Sequence, residues 1–331
     1  MDLLPFENIK REVYIKKDAK TNEKFGYYYD KRPIDVLIRY GIVNLDKPPG
    51  PTSHQVSAYL QKILNVKKAG HSGTLDPKVS GVLPIALENA TKITNLLLTS
   101  GKEYIAIMHL HKDIDHSVLY KVCNEFVGEI KQLPPVKSAV KRRWRTRKIY
   151  YLKILEIDGR DILIKVGCEA GTYIRKLIHD IGLRLGCGAH MSELRRTKSG
   201  PFNENKNLVT LQDVEDAMYY YNKHKNEKFL RYCIQPVENA IEHIPKIWVL
   251  DSAVDPLCHG VVLNIPGISK IESGIKPNDI VAVLTLKNEL ICYGRALMST
   301  EEIMKREKGV ALKVERVFMK PNTYPRYIKK A

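Results

Sequence analysis

The chain has 331 residues, 44% hydrophobic and 27% charged, a composition that excludes a disordered chain and supplies apolar mass for two cores. Its 54 Lys and Arg outweigh 37 Asp and Glu to leave +17, which favours a polyanionic partner such as nucleic acid. The cysteines at 123, 168, 187, 233, 258 and 292 form no CxxC pair, and neither a signal peptide nor an 18-residue apolar run is present, so an intracellular protein with reduced thiols, no structural zinc and no membrane span is expected.

Residues 1 to about 33 are mixed in charge, include the run Tyr27, Tyr28, Tyr29, and read as an extension that packs on another part of the chain. Ile42, Val43, Asn44 and Leu45 predict a strand entering the turn-rich segment 46–51, after which Thr52 or Ser53 caps a helix carrying Val56, Tyr59, Leu60, Ile63 and Leu64 on one face. A loop, AGHSGTLDP, then leads into the apolar segment 81–87, where Pro84 predicts an edge or irregular strand and leaves Asp76 at the junction. Strands are expected at 103–111 and 149–157, the second turning through Asp158, Gly159, Arg160 and Asp161 into a partner at 162–166. Thr172 is the expected cap of a helix whose face is Ile174, Leu177, Ile178, Ile181 and Leu185, with Gly186 and Gly188 ending it. A helix at 211–222 follows, and beyond Pro245 short strands at 247–250, 280–286, 290–296 and 310–317 predict a small β-barrel. The expected fold class is α+β: a mixed, mainly antiparallel sheet with helices over 34–243 and a small barrel over 244–331, on which the extension 1–33 packs.

In the loop Gly70-His71-Ser72-Gly73-Thr74-Leu75-Asp76-Pro77 the glycines free the backbone for close approach, and Pro77 holds Asp76 extended. Alone, this pattern more often marks a turn, and it lacks the GK[ST] ending of a phosphate loop. The stretch 137–148 carries Lys137, Lys141, Arg142, Arg143, Arg145, Arg147 and Lys148, with Trp144 and no acid, for a charge of +7. One-signed charge around an aromatic suits phosphate contact and base stacking better than a solvated face; a nuclear-localisation run ranks below, because the stretch lies between predicted strands. His109, His111, Asp113 and Asp115 alternate, yet four side chains along one strand do not converge on one metal, so no metal site is expected.

NLDKPPGPTSH at 44–54, AGHSGTLDPKVSGVLPIALENATK at 69–92 and EAGTYIRKLIHDIG at 169–182 occur in the order that resembles the TruB-type pseudouridine synthases. PPVKSAVKRRWRTRKIYY at 134–151 and GAHMSELRRTKSGPF at 188–202 resemble the dyskerin-type enzymes of H/ACA ribonucleoproteins, and the similarity runs from about Pro33 to the C-terminus. It implies an RNA-modifying isomerase: the bond between ribose C1′ and uracil N1 breaks, the base rotates and rejoins through C5, and neither metal nor organic cofactor is needed. Asp76 matches the catalytic aspartate, acting either as nucleophile at C1′ or as base toward a ribose proton. Tyr104 matches the tyrosine that stacks on uracil and assists proton removal from C5, against a plain sheet aromatic; Tyr173 matches a pocket tyrosine; Arg175 matches the arginine that pairs with the aspartate, against an exposed surface ion pair. Lys47 and Pro48 correspond to a buttress of the site and Leu194 to its apolar wall, while His71 corresponds to a contact to substrate RNA or to a loop histidine without catalytic duty.

The resemblance further implies that Lys141, Arg142, Arg143, Arg145, Arg147 and Lys148 belong to a mobile loop closing over RNA, and that the segment from about Ile244 is a PUA domain holding the ACA end of a guide RNA. The implied partners are an H/ACA guide RNA, ribosomal and also transfer RNA as substrates, and small accessory proteins, with no membrane. A stand-alone transfer-RNA modifier and a non-catalytic RNA-binding scaffold are the alternatives; the intact set Asp76, Tyr104, Tyr173 and Arg175 argues against the scaffold. The short ending at 327–331, without a lysine-rich tail, looks archaeal, which implies the cytoplasm; a eukaryotic source would imply the nucleolus.

Overall fold

The structure, a computed structural model, describes residues 2–134 and 141–326, so Lys137 and the ending at 327–331 lie outside the described residues. The chain forms two compact units, both discontinuous: Met1–Asn8, Val43–Ala86 and Ile93–Cys233 in one, Ile9–Ile42, Leu87–Lys92 and Ile234–Ala331 in the other. The spans expected from sequence were contiguous. They differ because strand pairing and packing, not chain order, group these segments.

In the first unit the strands lie in the order Gly41–Lys47, Ser80–Leu87, Ala189–Ser199, Lys102–Leu110, Asp161–Cys168, Arg145–Asp158, Gly128–Gln132. The last five pair antiparallel, whereas Ser80–Leu87 and Ala189–Ser199 run parallel, with Ser80 opposite Arg195 and Gly81 opposite Arg196. Alternate residues Ala106, Met108 and Leu110, with Ile162, Ile164 and Val166 beside them, turn to a core covered by the helices His116–Glu125 and Ile174–Leu185. Leu177, Ile178 and Ile181 are fully buried there, each contributing roughly 1.5–3 kcal/mol of apolar burial. The hairpin expected at 158–161 forms, with Asp158 opposite Asp161.

The edge position expected for the proline-bearing strand is corrected. Ser80–Leu87 is interior, flanked by Gly41–Lys47 and Ala189–Ser199. Its pairing with Ala189–Ser199 covers only Ser80 and Gly81, so Pro84, with no N–H to give, stands beyond that ladder. Its carbonyl accepts from the Ser72 backbone at 3.1 Å and the Ser72 hydroxyl at 3.2 Å.

The second unit holds a seven-stranded sheet in the order Val13–Ile15, Ile268–Glu272, Lys246–Val249, Ile280–Leu284, Leu290–Ala296, Val310–Val317, Leu263–Asn264. Ile247, Val249, Ile271, Val281, Val283, Ile291 and Leu312 belong to its core. Three of these strands went unread in the sequence, Val13–Ile15, Ile268–Glu272 and Leu263–Asn264, the last too short for a period-2 signal. Within this unit Val13 stands opposite Glu272 and Ile15 opposite Lys270.

Candidate active site

Asp76 lies in the loop between the strands Ala69–His71 and Ser80–Leu87, and the backbone on both sides of it is clamped. On one side Ser53, which opens the helix Ser53–Ile63, accepts from the Leu75 N–H at 2.8 Å and donates to the Leu75 carbonyl at 3.1 Å. The helix itself is placed by a capping box between Thr52 and Gln55. On the other side the buried Lys47 ammonium donates to the carbonyls of Pro48, Pro77 and Val79 at 2.9, 3.1 and 2.9 Å. Burial pushes that ammonium below its usual range, and Asp76 opposes the shift. Lys47 thus spends two of its donors on the loop that carries Asp76 and the third on its own neighbour Pro48.

Arg175 Nη2 donates to Asp76 Oδ2 at 2.7 Å, with the two side chains 60% and 57% exposed. An exposed pair contributes only about 0–1 kcal/mol to stability, so its consequence is orientation. The helix Ile174–Leu185 that carries Arg175 is not capped by Thr172, whose hydroxyl instead donates to the Glu169 carbonyl at 2.7 Å. The cap residue is Tyr173, held by the buried Gln132: its N–H donates to Gln132 Oε1 at 3.0 Å, and Gln132 Nε2 donates back to its carbonyl at 3.1 Å. Proximity in sequence favoured Thr172; a side chain from a neighbouring strand does the work.

Tyr104 is half-buried on Lys102–Leu110, directly opposite Arg196 in the ladder. Arg196 is buried and donates through Nε to the Val82 carbonyl at 2.8 Å and through Nη2 to the Gly73 carbonyl at 3.3 Å. Burial raises the Tyr104 phenol, and the guanidinium beside it pulls the phenol back. Leu194 stands opposite Ala106 on the same strand pair and packs on the core. His71 is half-buried with no partner for Nδ1 among the described residues, and burial, then Arg196 and His54, push it toward the neutral imidazole. Asp76 with Arg175 and Tyr104 with Arg196 are therefore built on adjoining strands and loops of one unit.

Sequence reasoning did not single out Arg196, Lys102 or Gln132, and it read Ser53 only as a candidate helix cap, a place that Thr52 takes. The pair Arg195-Arg196 was the available signal, since neighbours on a strand face opposite ways. Arg195 turns to Asp46 at 2.9 and 3.0 Å and to Glu204 at 2.6 Å, while Arg196 turns inward.

Lys102 is buried with its ammonium on the carbonyls of Leu97 and Ser100 at 2.8 and 2.6 Å; burial, then Arg196, lowers its pKa to about 7. The unfolded chain holds this proton to near pH 10.5 while the folded chain releases it near 7, so the folded state gains stability as pH rises above about 7. The stability of wild type relative to Lys102→Met should therefore climb between pH 7 and 8.5, by up to about 1.4 kcal/mol per pH unit. Denaturant titrations across that window test this, and parallel curves for the two proteins would contradict it.

The basic stretch is only partly a loop. Lys141, Arg142, Arg143 and Trp144 are exposed outside regular structure, but Arg145, Arg147 and Lys148 begin the strand Arg145–Asp158. Arg147 packs over Gly171, where an added Cβ would come within 3.0 Å of its Nη2, and lies 3.8 Å from Glu169. The strand end of the stretch thus rests on the loop that leads to Tyr173 and Arg175. The alternating His109, His111, Asp113 and Asp115 do not share one strand, which ends at Leu110. His109 pairs with Asp161 at 2.7 Å, Asp113 with Arg160 at 2.7 Å, and Asp115 caps the helix His116–Glu125. No helix among the described residues is long and apolar enough to cross a membrane.

Residues 61–174 match the N-terminal domain of the TruB family of pseudouridylate synthases and residues 175–242 the C-terminal domain of tRNA pseudouridylate synthase B. Residues 245–318 match the PUA domain, and residues 4–57 the DKCLD (NUC011) domain. The probable tRNA pseudouridine synthase B of Pyrococcus abyssi is 58% identical over 325 residues, which cover 98% of this chain and 97% of that protein. Its counterpart in Nanoarchaeum equitans is 54% identical over 323 residues, 98% of this chain and 92% of that one. Among solved structures, a Cbf5-Nop10-Gar1 complex contains a chain with a TM-score of 0.93 and 56% identity, covering 98% of this chain and 99% of that one. A chain of an H/ACA RNP bound to a substrate RNA containing 2′-deoxyuridine gives 0.92 and 54%, with the same coverage.

Proposed function

Because the chain belongs to the TruB family of pseudouridylate synthases, and is thus an RNA pseudouridine synthase, we propose that Asp76, Arg175, Tyr104 and Tyr173 form its reacting site. The observation that carries this is the 2.7 Å contact of Arg175 with Asp76 Oδ2 on a loop clamped by Lys47 and Ser53. The contact engages one carboxylate oxygen and leaves Oδ1 to face the ribose, as nucleophile at C1′ or as base. Tyr104 takes the uracil face and the C5 proton, Tyr173 and Leu194 line the pocket, and His71 contacts the substrate.

Target choice is made by an H/ACA guide RNA on ribosomal RNA, with small accessory proteins as partners in the particle and residues 244–331 holding the guide. The part of the extension from residue 9 to 33 supports that domain, whereas 1–8 belongs to the first unit, and the particle works in the cytoplasm. Supporting this are the similar solved complexes, an H/ACA RNP bound to a substrate RNA and a complex with Nop10 and Gar1. Action on transfer RNA is the second reading, and the names of the curated relatives favour it. Pseudouridine formation by the isolated chain on a transfer-RNA T-loop, set against formation on a guide-matched substrate in a reconstituted particle, tests both. Guide-independent turnover at the full rate would remove the first reading.

The arginines of the basic stretch, Arg142 and Arg143 exposed and Arg145 and Arg147 half-buried, should contribute to substrate engagement through phosphate. Replacing Arg142, Arg143, Arg145 and Arg147 together with alanine is expected to reduce the salt dependence of RNA binding by up to about one log–log unit per lost contact. Binding isotherms at several salt concentrations measure the slope, and an unchanged slope would remove the stretch from the RNA interface.

A further inference from the structure

We propose that Arg196 is a positioning residue for the reaction: it ties the Gly73 turn to the sheet and stabilises the phenolate that Tyr104 must become to receive the C5 proton. The proposal rests on the reading of Tyr104 given above. Arg196 is 1% exposed, yet among the described residues no carboxylate pairs with it. Its two hydrogen bonds go to the neutral carbonyls of Val82 and Gly73, which lie on the two sides of the Asp76 loop. A full positive charge buried without a counter-ion is costly to hold, and such a cost persists where the charge meets negative charge that develops during a reaction.

Tyr104 stands opposite Arg196 in the ladder, so guanidinium and phenol belong to neighbouring strands at the same level. The other titratable groups around the phenol are Asp76 and Cys168. The Cys168 thiol is pushed up to about 12 by burial and stays neutral. Lys102 and His71 lie beside Arg196, and burial first, then Arg196, pushes both toward their neutral forms. The cation that faces the phenol across the ladder is that of Arg196.

The chemistry sets the demand. Once C5 has bonded to C1′, the C5–H bond breaks, its electron pair forms the C5–C6 double bond, and the N1–C6 π pair moves to N1, which takes up a proton. A tyrosine oxygen that receives the C5 proton must first have released its own, and that released proton reaches N1 through solvent. One proton has moved from C5 to N1 and Tyr104 is restored. Stabilising the phenolate lowers the energy of the state in between.

Single-turnover rates between pH 6 and 10 for wild type, R196K, R196M, Y104F and Y104F/R196M test the assignment. R196M should slow the reaction by about 10²-fold near pH 7 and recover as pH rises, because a phenol without its cation needs a more alkaline medium. R196K, which keeps the charge but cannot span both carbonyls, should fall between. Placing 3-fluorotyrosine, a more acidic phenol, at position 104 should restore part of the loss at pH 7 in R196M and in R196K, so a methionine variant that fails to fold leaves the test standing. In the Y104F background R196M should cost little more. A variant profile that parallels wild type at all pH values, no rescue by fluorotyrosine, or an equal loss in the Y104F background would each reduce Arg196 to a structural role. Full activity of Y104F would instead overturn the reading of Tyr104 on which the proposal stands.

Discussion

Replacing Asp76 with asparagine should abolish pseudouridine formation, a loss on the order of 10⁴-fold or more, while folding and RNA binding are expected to survive. Asparagine keeps the shape of the side chain but has neither the nucleophilicity nor the basicity that the two routes at the ribose require. The fold tolerates the change because the loop is held through its backbone, by Ser53 at Leu75 and by Lys47 at Pro77 and Val79, and not through the carboxylate. The side chain is 57% exposed, and the exposed pair with Arg175 contributes about 0–1 kcal/mol. RNA affinity comes from many Lys and Arg contacts, and removing one carboxylate lessens repulsion of phosphate. Single-turnover detection of pseudouridine at saturating enzyme, with thermal melting and RNA binding measured on the same preparation, decides the matter. Turnover near the wild-type rate would mean that Asp76 is not the catalytic residue, and a collapse of binding would mean that binding and chemistry are not separable here.

Alanine at Gly81 is expected to destabilise the first unit by about 4 kcal/mol or more, the largest stability effect among the substitutions considered. Gly81 sits at φ +103°, outside the conformations open to an L side chain, and opposite Arg196 in the parallel pair. A Cβ built there would lie 2.2 Å from the Arg196 carbonyl oxygen and 2.9 Å from its nitrogen, backbone atoms that cannot turn aside as a side-chain end could. Relief requires parting the two strands, which would also shift Arg196 away from Gly73 and Tyr104. At about 2–4 °C per kcal/mol for a unit of this size, the melting temperature falls by roughly 8–16 °C. Gly159 is the control: it has φ +55° with nothing within 4 Å of an added Cβ, so alanine there costs only about 1 kcal/mol. Equal melting of the two variants would show that the close approach at Gly81 does not constrain the fold.

The elements that were legible in the sequence are those whose causes lie within a few residues. Thr52 and Gln55 cap a helix because they are three positions apart, and Gly186 ends another because it alone of its neighbours accepts φ +72° without strain. The apolar face of Ile174, Leu177, Ile178 and Ile181 and the hairpin at 158–161 follow from periodicity and turn chemistry in the same way. Long motifs in order revealed the family, and with it Asp76 and Arg175. Their contact, across 99 positions of sequence, exists only once the sheet is assembled. Tertiary structure alone decided which of Arg195 and Arg196 faces inward, because a strand's alternation gives two faces but not which one is covered. It likewise decided that Gln132, 41 residues from Tyr173, fixes the helix start in place of the adjacent Thr172, and that a proline-bearing strand lies inside the sheet. Local propensity depends on neighbours along the chain, whereas register, burial and the partner of a buried charge depend on which distant segments meet, and no window of sequence contains both sides of such a contact.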